Sequence, residues 1–207
     1  KDEPLQRLIT LMHGNVHNYH ELALDYAQAN LYEEAERVLT IPAVAEELAQ
    51  TSPLTYYYIG HFLIGQGKLE EGKACFEKAE LVNPNCCFPN RLEDVNVLTI
   101  ARNTLSNAAR APYYLGCLFY DKRQYDLAKE NWELSAQCNP SFPTVWRNLA
   151  LYYYNKEKNQ EKALECMERA FNLDPTDSRI LMELDQLYKV IGKPHAERLA
   201  FLEQYPA

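Results

Sequence analysis

The sequence predicts an all-α protein built as an array of antiparallel helix pairs. Three observations predict it. The segments Thr55–Pro84, Ala111–Pro140 and Val145–Pro175 align with one another almost residue for residue. Each reads as an amphipathic helix, a short polar turn, a second amphipathic helix and a closing Asn-Pro or Asp-Pro. No segment reads as a strand. Repetition at this period marks units that bury their apolar faces against their neighbours.

Taken in order, Pro4–Met12 is expected as one short helix ended by Gly14-Asn15. Val16–Ile41 is a weak copy, carrying Tyr19, Leu22, Ala23, Tyr26, Ala35 and Leu39, with Pro42 behind it. Ser52-Pro53 reads as a helix start, since proline suits the first helical turn. The first strong copy places Tyr56, Ile59, Gly60 and Leu63 on one helix and Gly72, Phe76 and Ala79 on the next. Gly60 and Gly72 would sit where the paired helices approach most closely, as would Gly116, Ala128, Ala150 and Ala163 in later copies.

The step from Pro84 to Pro140 is 56 residues, well beyond one repeat. Within it, Leu92, Val95, Leu98 and Ala101 fall at helical spacing. Two readings stand: a degenerate repeat over 88–106 that kept its second helix, or an insertion outside the stack. The third strong copy runs one residue long, and the extra residue is expected in its turn, around Lys156–Gln160. In the last copy, Ser178–Tyr205, Asp185 and Glu197 replace the usual small residues. The expected boundaries are 16–42, 53–84, 88–106, 109–140, 143–175 and 178–206, about eleven or twelve helices in a single array over 1–207.

Charge and cysteine content narrow the function. With 29 acidic against 21 basic residues and a formal charge of -8, the chain lacks the positive field that nucleic acid or an anionic membrane needs. No run approaches the 18 apolar residues of a membrane span. The six cysteines include no Cys-x-x-Cys spacing for a metal. They read as small buried hydrophobes in a reducing compartment, which favours the cytoplasm. The start Lys1-Asp2-Glu3-Pro4 reads as an excised or processed piece.

The repeat resembles the tetratricopeptide repeat, a helix–turn–helix unit of about 34 residues. That resemblance implies a right-handed superhelical array whose first helices, here the A helices, line an inner groove. Carried onto this sequence, the groove residues are Tyr57, Tyr58, His61, Arg110, Tyr113, Tyr114, Tyr120, Arg147, Asn148 and Tyr154, with Leu151, Met182, Glu183 and Gln186 beside them. Tyrosine and arginine suit recognition at modest entropic cost. The bland alternative is that these tyrosines pack helix against helix as core.

The Lys/Asn/Arg clamp that some family members use for a terminal carboxylate is met only by Arg147-Asn148. No nucleophile–base or phosphate-loop motif is present, so no catalytic residue, cofactor or metal is assigned. The expected partner is a protein or peptide, with another domain of the same polypeptide and a carbohydrate as alternatives. Residues 55–206, through RLEDVNVLTIA, RAPYYLGCLFYDKRQYDLA and NPSFPTVWRNLALYYYNK, also resemble the C-terminal arrays of large bacterial proteins that carry a β-sandwich of unknown function. That resemblance would make the chain a structural module.

Overall fold

A computed structural model describes residues 3–85 and 87–205. Cys86, expected as a buried cysteine, and residue 206, the end of the last expected repeat, lie outside the described residues. Thirteen α-helices are present among the described residues, with no strand. They fall into two compact units, Lys1–Leu118 and Phe119–Ala207.

The first unit opens with α1 (Glu3–Met12), followed by the pair α2 (Val16–Gln28) and α3 (Tyr32–Leu39). Asn15 caps α2 by accepting the His17 N–H, so the helix breaks between His13 and His17 as expected. A short helix the sequence reading did not contain, α4 (Ala45–Thr51), comes next. Then come the pair α5 (Pro53–Gly65) and α6 (Leu69–Leu81), the single helix α7 (Leu92–Thr104) and most of α8 (Arg110–Asp121). Pro53 occupies the first turn of α5, but the Ser52 hydroxyl makes no capping bond.

The contact of α5 with α6 depends on missing side chains. A Cβ on Gly60 would lie 2.6 Å from the Phe76 ring and 2.8 Å from the Gly72 carbonyl oxygen. One on Gly72 would lie 2.7 Å from the Gly60 carbonyl oxygen. Backbone cannot yield as a flexible side chain can. Phe62, Leu63, Phe76 and Ala79 complete the core around this crossing.

In the second unit α9 (Tyr125–Cys138) is followed by α10 (Pro143–Tyr152), a π-helical turn (Tyr153–Glu157) and α11 (Gln160–Leu173). The pair α12 (Ser178–Val190) and α13 (His195–Leu202) ends it. The extra residue of the third strong copy is taken up by the π turn, which overlaps the expected stretch at Lys156 and Glu157. There the Lys158 N–H reaches back five residues to the Tyr153 carbonyl. A helix absorbs one surplus residue this way without shifting the helices on either side.

The turn inside each helix pair is closed by one left-handed residue: Asn30, Gly67, Arg123, Lys158 and Gly192 all have positive φ. In the last pair, a bidentate ion pair, Asp185 with Arg198, takes the place of a close small-residue contact. The sequence reading assigned Glu197 to that position; Arg198 is the residue there.

The two kinds of backbone constraint predict opposite outcomes. Gly72→Ala should lower stability by about 1–3 kcal/mol, because the methyl meets backbone. Arg123→Gly should raise it by about 1 kcal/mol, because the left-handed penalty on an L side chain disappears. Urea denaturation of both variants checks the pair.

Candidate partner-binding surface

In the first unit, burial and hydrogen bonding consume most of the expected groove. Tyr57, Tyr58 and Tyr114 are fully buried, which corrects the expectation that they face solvent. For Tyr58 the cause is α7, which packs against α5. The Tyr58 hydroxyl donates to the buried Asp94 of α7. The same carboxylate accepts the Asn90 and Arg91 N–H groups at 2.8 and 3.0 Å, capping its own helix.

Two further contacts tie α7 to α2, Arg91 to Glu21 and Gln28 to Glu93. Thus α7 bridges two first helices on the side predicted to be an open groove. Tyr57 donates to Glu80 at 2.8 Å and meets the Tyr114 ring edge-on at 6.1 Å. Burial, then the adjacent carboxylates, pushes the Tyr57 and Tyr58 phenols far above their ordinary range.

Glu80 has a second task. It reaches from α6 to the start of α8 and accepts the N–H groups of Ala109, Arg110 and Ala111 at 2.7–3.0 Å. A helix N-terminus carries such unpaired donors and a partial positive charge, and a carboxylate answers both. Arg110 therefore begins a capped helix, with its side chain half-buried. Tyr113 is half-buried against Tyr114, and His61 is half-buried beside Tyr32 and Phe62. Burial lowers the His61 pKa.

His20 is buried as well. Thr55 donates to the Leu48 carbonyl, so its oxygen accepts from His20 Nε2 at 2.9 Å. This assigns the Nε2–H tautomer and leaves Nδ1 as an unpartnered lone pair. Burial, then the charges of Arg91 and His17, pulls the His20 pKa down to about 3.

In the second unit the expected residues converge. The inner side of α10, the π turn and α12 bounds a cleft of about 250 Å³. Leu151, Tyr154, Glu183 and Gln186 line it over an apolar floor that includes Met167 and Leu187. Arg147 is held by Glu183 through a bidentate bond of 2.7 and 2.5 Å, both side chains about four-fifths buried. Asn148 is half-buried beside it in α10.

Three consecutive tyrosines have different fates. Tyr152 and Tyr153 are buried and directed to Asp126 and Glu133, whereas the half-buried Tyr154 hydroxyl has no hydrogen bond among the described residues. Tyr120 is half-buried in aromatic packing, 5.2 Å from Tyr125 and 5.4 Å from Trp132.

Residues 54–86 and 144–177 match the family model described as the tetratricopeptide repeat. These two stretches, which hold the α5–α6 and α10–α11 pairs, are tetratricopeptide repeats. Among curated proteins, human RanBP2-like and GRIP domain-containing protein 3 is similar, 33% identical over 75 residues, covering 36% of this chain. The human E3 SUMO-protein ligase RanBP2 is 32% identical over a stretch of the same length. The chain spans only about 2–4% of the length of these relatives.

Among solved structures, MamA from Desulfovibrio magneticus RS-1 is 21% identical, covers 91% of this chain and 93% of its own, and has a TM-score of 0.43. YrrB, described as a tetratricopeptide protein with an unusual peptide-binding site, is 22% identical, with coverages of 86% and 96% and a TM-score of 0.40.

Sequence reasoning on tetratricopeptide spacing missed Asp94 and Glu80. Asp94 carried a local signal, as the third residue of a predicted helix with an acidic first turn. Glu80 carried none, because its partners lie about 30 residues away.

Two measurements follow from these groups. Removing Glu80 as Glu80→Leu orphans three donors and a phenol, and should cost about 3 kcal/mol in chemical denaturation. His20 binds a proton more weakly folded than unfolded, so its contribution is complete above pH 6.5 and is lost as pH falls from there toward 3. Stability should drop by up to about 1.4 kcal/mol per pH unit in that window, and His20→Gln should remove that component of the slope.

Proposed function

We propose that this chain is a non-enzymatic scaffold that binds a protein or an extended peptide. The recognition face is the inner side of α10, the π turn and α12, with Leu151, Tyr154 and Gln186 as contacts. Arg147 and Asn148 form its polar edge. The observation that carries this reading is the α10–α12 cleft, where a tyrosine keeps a free hydroxyl above an apolar floor. The tetratricopeptide repeats support it as a class of surface, since stacked helix pairs expose an extended recognition face.

Arg147 enters as part of a neutralised pair, so the cleft favours an apolar side chain flanked by peptide amides over a terminal carboxylate. Arg110, Tyr113, His61 and Tyr120 are secondary contacts at most, being half-buried against their own neighbours. A sugar stacked on a phenol needs an open ring face, which Tyr57, Tyr58 and Tyr114 do not have. The narrower resemblance to bacterial proteins with a β-sandwich makes a domain of the same polypeptide one occupant to test.

Peptide selection from a random phage-displayed library, with the 207-residue chain as bait, should enrich ligands with an aliphatic or aromatic anchor. Tyr154→Ala and Leu151→Asp should each weaken those ligands by at least about tenfold while the helical circular dichroism stays unchanged. Tyr58→Ala should instead reduce the helical signal, because its hydroxyl and ring are core. Ligands that bind the Tyr154 and Leu151 variants as well as the parent chain would remove this cleft as the site. Binding confined to another domain of the same polypeptide would make the chain a structural module.

A further inference from the structure

The π turn carries a lysine whose ammonium is turned onto two aromatic rings. Lys156 Nζ lies 3.6 Å from the centre of the Tyr125 ring and 5.7 Å from that of Tyr120. Both distances fall within the roughly 6 Å over which a ring face attracts a cation. Tyr120 ends α8 and Tyr125 begins α9, so the lysine reaches back across a whole repeat.

The two rings form a corner. Their centres are 5.2 Å apart, their planes stand at 64°, and the buried Trp132 packs on Tyr120. Both tyrosines are half-buried, and neither hydroxyl has a hydrogen-bond partner among the described residues. Lys156 is exposed, and its ammonium has no ion pair or hydrogen bond among those residues either. The rings are what hold it.

Other lysine–tyrosine contacts of this unit differ in kind. Lys129, over Tyr152 and Tyr153, is also bonded to Glu157 at 2.6 Å. Lys193 covers the buried Tyr188, whose hydroxyl is bonded to Glu168. Only at the Tyr120–Tyr125 corner do a cation and two phenols all lack a further partner among the described residues.

We propose that this corner is a binding site for a trimethylammonium group, and that Lys156 fills it in the free protein. A primary ammonium placed on a ring face gives up hydrogen bonds to water. A trimethylammonium has none to lose, and the attraction of the rings for its charge is undiminished. Lys156 is therefore a readily displaced resident, which returns to full hydration when a quaternary cation takes its place. Asp126, next to Tyr125 in α9, keeps an exposed carboxylate that favours an incoming cation. The corner shares no residue with the lining of the α10–α12 cleft, so the two readings stand or fall separately.

The probes are choline and Nα-acetyl-Nε-trimethyllysine amide, titrated into the full 207-residue chain and followed by NMR of ring-labelled tyrosine. Saturable shifts are expected at the two signals that Tyr120→Phe and Tyr125→Phe remove, with a Kd of about 1–10 mM. The neutral tert-butyl analogue of choline should shift neither, because the attraction needs the charge. Lys156→Gln should tighten binding at least about threefold, since the resident no longer competes. Tyr125→Leu should weaken it at least about tenfold. Lys156 is exposed, so its variant keeps the parent's helical signal and decides the question even where Tyr125→Leu loses the fold.

Tyr154→Ala should leave this binding unchanged, which separates it from the cleft. Tighter binding of the lysine derivative supports the site with a methylated protein side chain as its ligand; tighter binding of choline supports it with a free or lipid-borne headgroup. Equal shifts from the neutral analogue would overturn the proposal. So would a Lys156→Gln chain that binds no tighter than the parent, or no saturation below about 50 mM.

Discussion

Polar groups withdrawn from water must be answered inside the protein, and in the first unit two carboxylates provide most of the answer. Asp94 accepts two backbone donors and the Tyr58 hydroxyl; Glu80 accepts three backbone donors and the Tyr57 hydroxyl. Each therefore fixes a helix start and a tyrosine at once. Adjacent tyrosines on α5 point to different carboxylates, one on α7 and one on α6. The chain between Pro84 and α8 is longer than a repeat allows, and these bonds give its helix one place to lie. A neutral side chain at either position would leave donors with no water and no acceptor.

The abundance of tyrosine follows from the same chemistry. A phenol buries as much ring as phenylalanine yet carries a donor at its tip, so it can cross an interface and end on a carboxylate of the neighbouring helix. Tyr57, Tyr58, Tyr153 and Tyr188 all do this. Burial and the nearby carboxylate both disfavour the phenolate, so these hydroxyls stay protonated and act as donors. Cys87 and Cys166 are held as thiols by burial, their pKa values pushed up to about 12 and about 11. They fill space, as small hydrophobes do.

The helix pairs were legible because their signals are local or strictly periodic. Gly60 and Gly72 could be placed at a close approach from spacing alone, and the backbone distances show why only glycine fits. Helix starts at Pro53 and Asp177 were legible for the same reason. Periodicity states which face of a helix a residue occupies, but not what covers that face. Tyr58 lies on the side predicted for it; α7, 34 to 46 residues further along the chain, closes it. The length of the third copy revealed a surplus residue, but only hydrogen bonding could place it in the helix end and not in the turn. The exchange of Asp185 and Arg198 for small residues was half legible. Asp185 stood out, and its partner was misassigned by one residue because the repeat step here is 35.

The contrast between the two units bears directly on recognition. On the first helices of the first unit, Glu21, Gln28 and Tyr58 are already bonded to α7. An outside ligand there would have to replace a buried carboxylate and its three donors, a loss that no shallow contact offsets. In the second unit no helix takes that role. Arg147 and Glu183 satisfy each other and thereby prevent two largely buried charges from demanding a ligand. What remains open is an apolar floor, an amide at Gln186 and the hydroxyl of Tyr154. These groups lose little hydration when a neutral peptide covers them, and they gain from it. The same residue type is thus structural wherever a helix of this chain supplies an acceptor and available for recognition only where none does.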